Sequence, residues 1–428
     1  MRLPLSMRDK QRGWGIPAVY VAVTMTVGMA LPRLEARYLE QAQAAISAPA
    51  MMAIGSAIAS GMIALTGIVF SLAFVMVQFS ATAYSPRLVL WVARDKVLSH
   101  ALGMFTATFL YALIVLAWVD RHGSGRVPFF SGWLVVGMLL GSMALFIALI
   151  ERLSLLQVNR MLVFTADQGR KAIEDLYPAE AASAAAQDAA FEELPVTQTL
   201  VFRGHPRVIQ ALDVPRLVQL AQTSSTVIEM VASVGDTTLE RTPLLRVRGG
   251  KAALREEALL ACLALGEERT FEQDPKYALR LVVDIAIKAL SPAVNDPTTA
   301  VQALDQIEDL LIRLGHRQLD VGQHRDAQGA LRLVVYYPTW EDFLRLSLDE
   351  IRFCGGNSVQ VMRRMKALIK NLLEVLPASR HAALRGWEAR VQGTIERSFS
   401  DAQEKQDASR ADRQGLGMAE DEAQPPAS

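Results

Sequence analysis

Apolar positions dominate the first third of the chain and then give way to amphipathic periods. Four runs, Trp14 to Leu31, Pro49 to Phe79, Val97 to Val119 and Phe129 to Ile150, are apolar on all sides. A bilayer core about 30 Å thick takes about 20 apolar residues in helix, so each run reads as a transmembrane helix. The second has no charge between Gln41 and Pro86. Read from Pro49 it would be about 45 Å long, which demands tilt, a kink or protrusion. As buried helices of a water-soluble protein, four such runs would leave no polar face for water. A cleaved leader is the competing reading of the first, because Arg2, Arg8, Lys10 and Arg12 precede it. The Pro32-Arg33-Leu34-Glu35 segment that follows is no small-residue cleavage site.

Beyond Ile150 the pattern is that of a water-exposed domain. Helical spacing continues from Glu151 to Leu176 and stops at Pro178; the Ala-rich stretch 179–190 reads as a linker or short helix. Val196–Phe202, Arg207–Leu212, Thr226–Ala232 and Leu244–Val247 read as strands, with Pro215–Gln222 a short helix and Val234-Gly235-Asp236 a turn. Glu256–Leu263, Tyr277–Leu290 and Thr298–Leu314 read as helices. Leu331–Tyr337 is one more strand, followed by helices from the Thr339 cap to Phe353, over Val359–Leu376 and over 381–398. The fold class expected is an α-helical polytopic membrane domain of four transmembrane helices followed by a mixed α+β cytosolic domain. The divisions expected are 1–151 for the membrane helices, 152–193 for a helical extension and linker, 194–250 for a small β-rich unit, 251–398 for a helical α+β domain and 399–428 for a disordered polar tail.

Charge sets the expected orientation. The 428 residues carry 44 basic and 44 acidic side chains, but residues 1–150 hold eleven basic and five acidic ones. Basic residues gather in the amino-terminal arm, in the loop with Arg87, Arg94 and Lys96, and after the fourth run at Arg152, Arg160, Arg170 and Lys171. Positive loops stay cytoplasmic, which places both termini and the larger domain inside, at a bacterial inner membrane. A balanced charge, and basic residues without interleaved aromatics, exclude a general nucleic-acid binder.

Two places draw functional attention. Ser56, Ser60, Gly61, Gly67 and Ser71 make the second run rich in small and hydroxyl side chains. Pairs four apart, Ala57/Gly61 and Gly67/Ser71, and Gly137/Gly141 in the fourth run, let helix backbones approach closely in lipid. Packing inside one bundle, packing between protomers and lining of a pore all use such a face. The second place is Ser291-Pro292-Ala293-Val294-Asn295-Asp296-Pro297-Thr298-Thr299. Asp296 reads as an N-cap with Pro297 at the first helical position, and Ser291, Asn295, Thr298 and Thr299 offer groups to a ligand or partner. Upstream, Arg280, Asp284 and Lys288 sit four apart as a salt-bridge ladder.

The search for catalytic chemistry is negative. Gly249-Gly250-Lys251 is followed by Ala252 and lacks the first glycine of a phosphate loop; six scattered histidines show no ligand spacing, and there is no Gly-x-Ser-x-Gly elbow. Cys354 ends a helix, where the dipole raises a thiol pKa. No catalytic residue, cofactor or metal is expected. No ionisable group lies deep in the four runs, which argues against an ion-coupled carrier and leaves an uncharged pore open.

The stretches Val77-Gln78-Phe79-Ser80-Ala81-Thr82-Ala83-Tyr84-Ser85-Pro86-Arg87, Gly103–Leu113, Phe271-Glu272-Gln273-Asp274-Pro275 and Leu281–Ala300 resemble the bacterial predicted membrane proteins grouped as domain-of-unknown-function family 2254. Ala83 departs from a glutamine expected there. The resemblance spans about 10–400 and implies a polytopic inner-membrane protein with a cytosolic domain; it implies no catalytic residues. With the residue readings, the expected roles are transport, as a homo-oligomeric channel gated by the cytosolic domain, or anchoring of a sensor or scaffold that binds a small ligand or protein. The expected partners are the lipid bilayer and further copies of the chain.

Overall fold

The computed structural model describes residues 15–38, 47–83, 96–119, 127–153, 158–179, 190–250 and 253–418. The chain divides into two compact units, Pro4–Arg160 and essentially Met161–Ser428. The amino-terminal arm, the Tyr84–Arg87 end of the family stretch, the Ala-rich linker and residues 419–428 lie outside the described residues.

Among the described residues the first unit holds four helices, α1 (Gly15–Tyr38), α2 (Ala48–Ala83), α3 (Lys96–Leu116) and α4 (Phe129–Leu153). Each is long and apolar enough to cross a membrane. α3 is the hub and packs against the other three. Its Ala101, Phe105, Tyr111, Ala112 and Val115 are fully buried. Polar contacts join the helices at separate points. Thr108 Oγ1 and Ser142 Oγ lie 2.9 Å apart between α3 and α4, and Tyr20 Oη lies 3.2 Å from His100 Nδ1 between α1 and α3.

α1 runs past Pro32, where the apolar run ends, to Tyr38. Its last turn carries Glu35, which is buried. The carboxylate accepts hydrogen bonds from Phe130 N at 3.1 Å, Ser131 N at 2.8 Å and Ser131 Oγ at 2.5 Å. The first amides of a helix have no partner within the helix, and its N-terminus favours negative charge. Glu35 thus caps α4 from another helix. Hydropathy hides this residue, because it falls just beyond the apolar run.

The second unit opens with α5 (Val158–Leu176), from Met161 onward. Gly169 lets α5 approach its neighbours closely: a Cβ there would lie 2.9 Å from Ala278 Cβ and 3.1 Å from Leu310 Cδ2. Eight strands follow: β1 (Val196–Val201), β2 (Arg207–Leu212), β3 (Val227–Met230), β4 (Thr237–Thr238), β5 (Pro243–Arg248), β6 (Leu263–Gly266), β7 (Gln323–Arg325) and β8 (Leu331–Val334). They form a five-stranded sheet, β1-β5-β3-β8-β7, and a three-stranded one, β4-β2-β6. All pairings are antiparallel except β3 with β8, where Ile228 faces Leu333. Leu200, Ile209, Leu212, Ile228, Leu245 and Leu333 belong to one buried core, so both sheets share it.

The helices are α6 (Val214–Thr223), α7 (Glu256–Leu260), α8 (Pro275–Ala289), α9 (Pro297–Gly315), α10 (Trp340–Cys354), α11 (Val359–Val375), α12 (His381–Ser398) and α13 (Ala402–Ser409). Three readings of the sequence need correction here. Residues 194–250 do not make a sheet alone, because β3 needs β8 from far down the chain. The helix read over Glu256–Leu263 ends at Leu260, and Leu263 opens β6 against β2. The tail from 399 is not wholly disordered. Asp401 caps α13, Arg363 Nε of α11 donates to Asp407 O at 2.6 Å, and Ala408 is buried. A polar composition hides a helix held by distant partners, Arg363 of α11 and, on α12, Gln392 against Ser409 at 3.3 Å and Glu396 against Lys405 at 3.4 Å.

Two predictions follow from these packings. Glu35→Ala should lower the melting temperature of the detergent-solubilised chain by the equivalent of about 1–3 kcal/mol, the usual cost of stranding buried amides. An unchanged melting temperature would remove the capping role. His324 on β7 has a buried Nε2 with no hydrogen-bond partner among the described residues, and burial lowers its pKa. Its folded-state pKa is depressed, so its contribution is complete above the ordinary histidine range and is lost as pH falls through about 6.5. Melting should drop from pH about 7.5 to about 5 less steeply in His324→Asn. Identical slopes would discard the assignment.

Candidate functional site

The small residues of α2 are set apart by the helix's own packing. Its core side carries Met51, Ile58, Ala59, Met62 and Val69, all buried. Gly55 lies on that side, where a Cβ would meet Leu116 Cδ2 at 2.9 Å. At 100° per residue, Ser56, Ser60, Gly67 and Ser71 fall within about 60° of one another and about 150° from the core side. All four are exposed, as is Gly61, which lies about a quarter-turn away. Nothing lies within 4 Å of a Cβ built at Gly61 or Gly67. Met52, Ile63 and Phe70 stand on one flank and Ile54, Ile68 and Val75 on the other, all exposed. The five residues singled out in the sequence therefore do not pack within their own bundle. Ser56, Ser60, Gly67 and Ser71 form a shallow furrow between two apolar ridges, and Gly61 lies on the ridge of Ile54, Ile68 and Val75. The fourth-helix pair is split: a Cβ at Gly141 meets Met104 at 2.9 Å, while Gly137 is open.

The turn 291–299 is closed upon itself. Ser291 Oγ donates to Lys288 O at 2.7 Å, Asn295 N to Ser291 O at 2.8 Å, and Asp296 N to Ala289 O at 2.8 Å. Asp296 accepts from Thr299 N at 3.1 Å and Thr299 Oγ1 at 2.5 Å. Thr298 is exposed. Asn295 has φ +48°, the left-handed region that asparagine tolerates. The same device starts the preceding helix. Gln273 has φ +55°, Asp274 caps α8 from Tyr277 N, and Pro275 follows. Gln273 also holds both backbone groups of Leu212, accepting from its N at 3.0 Å and donating to its O at 3.2 Å. Both family stretches thus build helix starts. Of the ladder, Arg280 pairs with Asp284 at 2.6 Å and also binds Glu350 of α10.

A third place is invisible in the sequence. A cleft of about 490 Å³ is walled by Ser233, Lys276, Tyr336, Tyr337, Asp342 and Phe343, with Arg345, Asp349 and Glu350 along its α10 side. Burial pushes the Tyr337 phenol up to about 12. Behind it the buried Tyr177, at the end of α5, meets Tyr337 and Phe343 edge-on, each at 6.2 Å between ring centres. Burial raises the Tyr177 phenol as well. Next to Lys276 the buried Asp274 pairs with Arg269 at 2.7 Å, yet burial outweighs the pair and raises its carboxyl. Gly235, at φ +91°, is required here, because a Cβ would lie 2.5 Å from Asp274 Oδ2. Its turn was legible; that the turn seats against a buried ion pair was not.

Cys354 is exposed and its thiol is pushed up, by partial burial and then by Glu350, which weakens it as a nucleophile. Among the described residues no three His, Cys, Asp or Glu side chains are grouped to hold a metal.

Four apolar helices ahead of a domain of helices and mixed sheets define a predicted polytopic membrane protein. The chain belongs to the family of predicted membrane proteins of unknown function DUF2254, which it matches over residues 10–371. It is similar to uncharacterized proteins of Mycobacterium bovis and Mycobacterium tuberculosis, 28% identical to each over 359 residues, which cover 81% of this chain and 68% of theirs. No solved structure matches it.

Asp296→Ala should cost about 1 kcal/mol in thermal unfolding, as loss of an N-cap does, and Asp296→Ser should recover most of it. A variant as stable as the parent would show that the carboxylate is held for another purpose.

Proposed function

We propose that the protein assembles with copies of itself through the outward furrow of α2, and that the gathered α2 helices enclose an uncharged permeation path. The observation that carries this reading is the position of Ser56, Ser60, Gly67 and Ser71, opposite the side of α2 that packs in its own bundle. Small residues give helices close approach in lipid, where apolar burial drives nothing. Hydroxyls facing an axis are solvated by water, whereas facing acyl chains they are not. On the charge of its loops, the larger unit stands on the cytoplasmic side of a bacterial inner membrane, with both termini. Gating of the path is the role proposed for it there. α2 is 36 residues, about 54 Å, and so outruns the hydrocarbon.

A second reading, a membrane-anchored sensor, is favoured by the cleft beside α10, whose volume falls in the usual range for small-molecule sites.

With Cys262 and Cys354 replaced by serine, Ser60→Cys in native membranes should form disulfide-linked dimers under mild oxidation. Leu140→Cys, exposed on α4, should form far fewer. Reconstituted protein should pass ions or small solutes, and Gly67→Leu should abolish the flux. A monomeric Ser60→Cys protein would end the assembly; cross-linking without flux across cations, anions and neutral solutes would end the path.

A further inference from the structure

We propose that the cleft beside α10 binds a small ring-bearing organic anion, with its acidic group on Lys276 and its ring against Tyr336 and Tyr337. The inference is independent of the assembly on α2, since a chain that never met its copies would still have the cleft.

The charges decide the sign of the ligand. Three carboxylates border the cleft, and each is already engaged. Asp342 accepts from Thr339 N at 3.0 Å, Thr339 Oγ1 at 2.8 Å and Arg345 Nη2 at 2.5 Å. Asp349 takes Arg352 at 2.8 Å. Glu350 takes both terminal nitrogens of Arg280. Lys276 is half-buried in the second position of α8, and among the described residues it makes no hydrogen bond or ion pair. Asp274 and Asp342 act on its charge from a distance, but its ammonium has no hydrogen-bonded partner among the described residues, and an incoming anion supplies one. A cationic ligand would meet carboxylates whose charge is already shared with arginines.

The walls decide its shape. Tyr336 is about half exposed, so its ring is open to a ligand, yet it is held: its hydroxyl donates to Glu229 Oε1 at 3.1 Å, and Arg248 Nε donates to Glu229 Oε2 at 2.8 Å. Ser233 Oγ donates to the Tyr336 carbonyl at 3.1 Å. Tyr337 is backed by Tyr177. Two rings held before a ligand arrives offer it aromatic surface without an ordering cost, which favours a ring-bearing group over a flexible chain. The raised Tyr337 phenol stays protonated and keeps a donor in the wall. A cleft of about 490 Å³ accommodates a ligand the size of a mononucleotide or an aromatic acid.

The test is calorimetric titration of the full-length detergent-solubilised protein. The probes are AMP and 4-hydroxybenzoate, each against its uncharged counterpart, adenosine and 4-hydroxybenzamide. At least one anion should bind saturably with Kd below about 1 mM, and its neutral counterpart at least about tenfold more weakly. Lys276→Met should weaken that anion about tenfold or more, and Lys276→Arg should retain it. Should Lys276→Met fail to fold, Tyr336→Leu serves instead, with the same loss expected. Binding by neither anion, or equal binding to parent and variant, would overturn the site. Ser60→Cys cross-linking in the same preparations separates failure of the cleft from failure of the assembly.

Discussion

Hydrocarbon offers no hydrogen bonds, and the first unit is organised around that deficit. Each spanning helix satisfies its own interior backbone, which leaves only its ends in need of partners. Glu35 shows how one end is met. Its carboxylate crosses from the last turn of α1 to the first turn of α4, where it takes two amides and a hydroxyl at once. A short loop residue could cap α4 equally well in water. A carboxylate supplied by another helix also fixes how α1 and α4 meet. Elsewhere in the bundle polar side chains meet in pairs, Thr108 with Ser142 and Tyr20 with His100.

The same economy explains why α2 stands out. A helix that has met all its neighbours in one chain should turn large apolar side chains to lipid, as α4 does with Leu140, Met143 and Ile147. α2 turns a furrow of serines and glycines outward instead and keeps its bulk on the two flanks. That is the shape of a surface awaiting another helix.

In the second unit the ordering principle is the helix start. The left-handed polar residue, aspartate and proline occur twice in succession, at Gln273-Asp274-Pro275 and Asn295-Asp296-Pro297. The first of these also ties down the end of β2 and holds Asp274 beside Lys276. The cleft is thus a by-product of well-made turns and of Tyr177, which backs its aromatic wall from the end of the helix that follows the membrane unit in sequence.

What could be read from the chain is what depends on local period and local chemistry. Four spans show as apolar runs because lipid solvates every side of a helix. The caps at Asp296 and Thr339 show because a side chain bonds amides three residues on, and the mixed helix and strand content shows in the alternation of spacing. What escaped depends on distance along the chain. β6 looked like the end of a helix because only its pairing with β2, across some fifty residues, makes it a strand. α13 looked like tail because its support comes from Arg363, Gln392 and Glu396 on two other helices. Ser60 and Gly67 could be named from the sequence, but whether they faced their own bundle was set by which side of α2 met α3. Lys276 and Tyr336, sixty positions apart, carried no shared signal at all. Period and capping are properties of neighbours in sequence, whereas a furrow or a cleft exists only once separate elements have chosen which faces to bury.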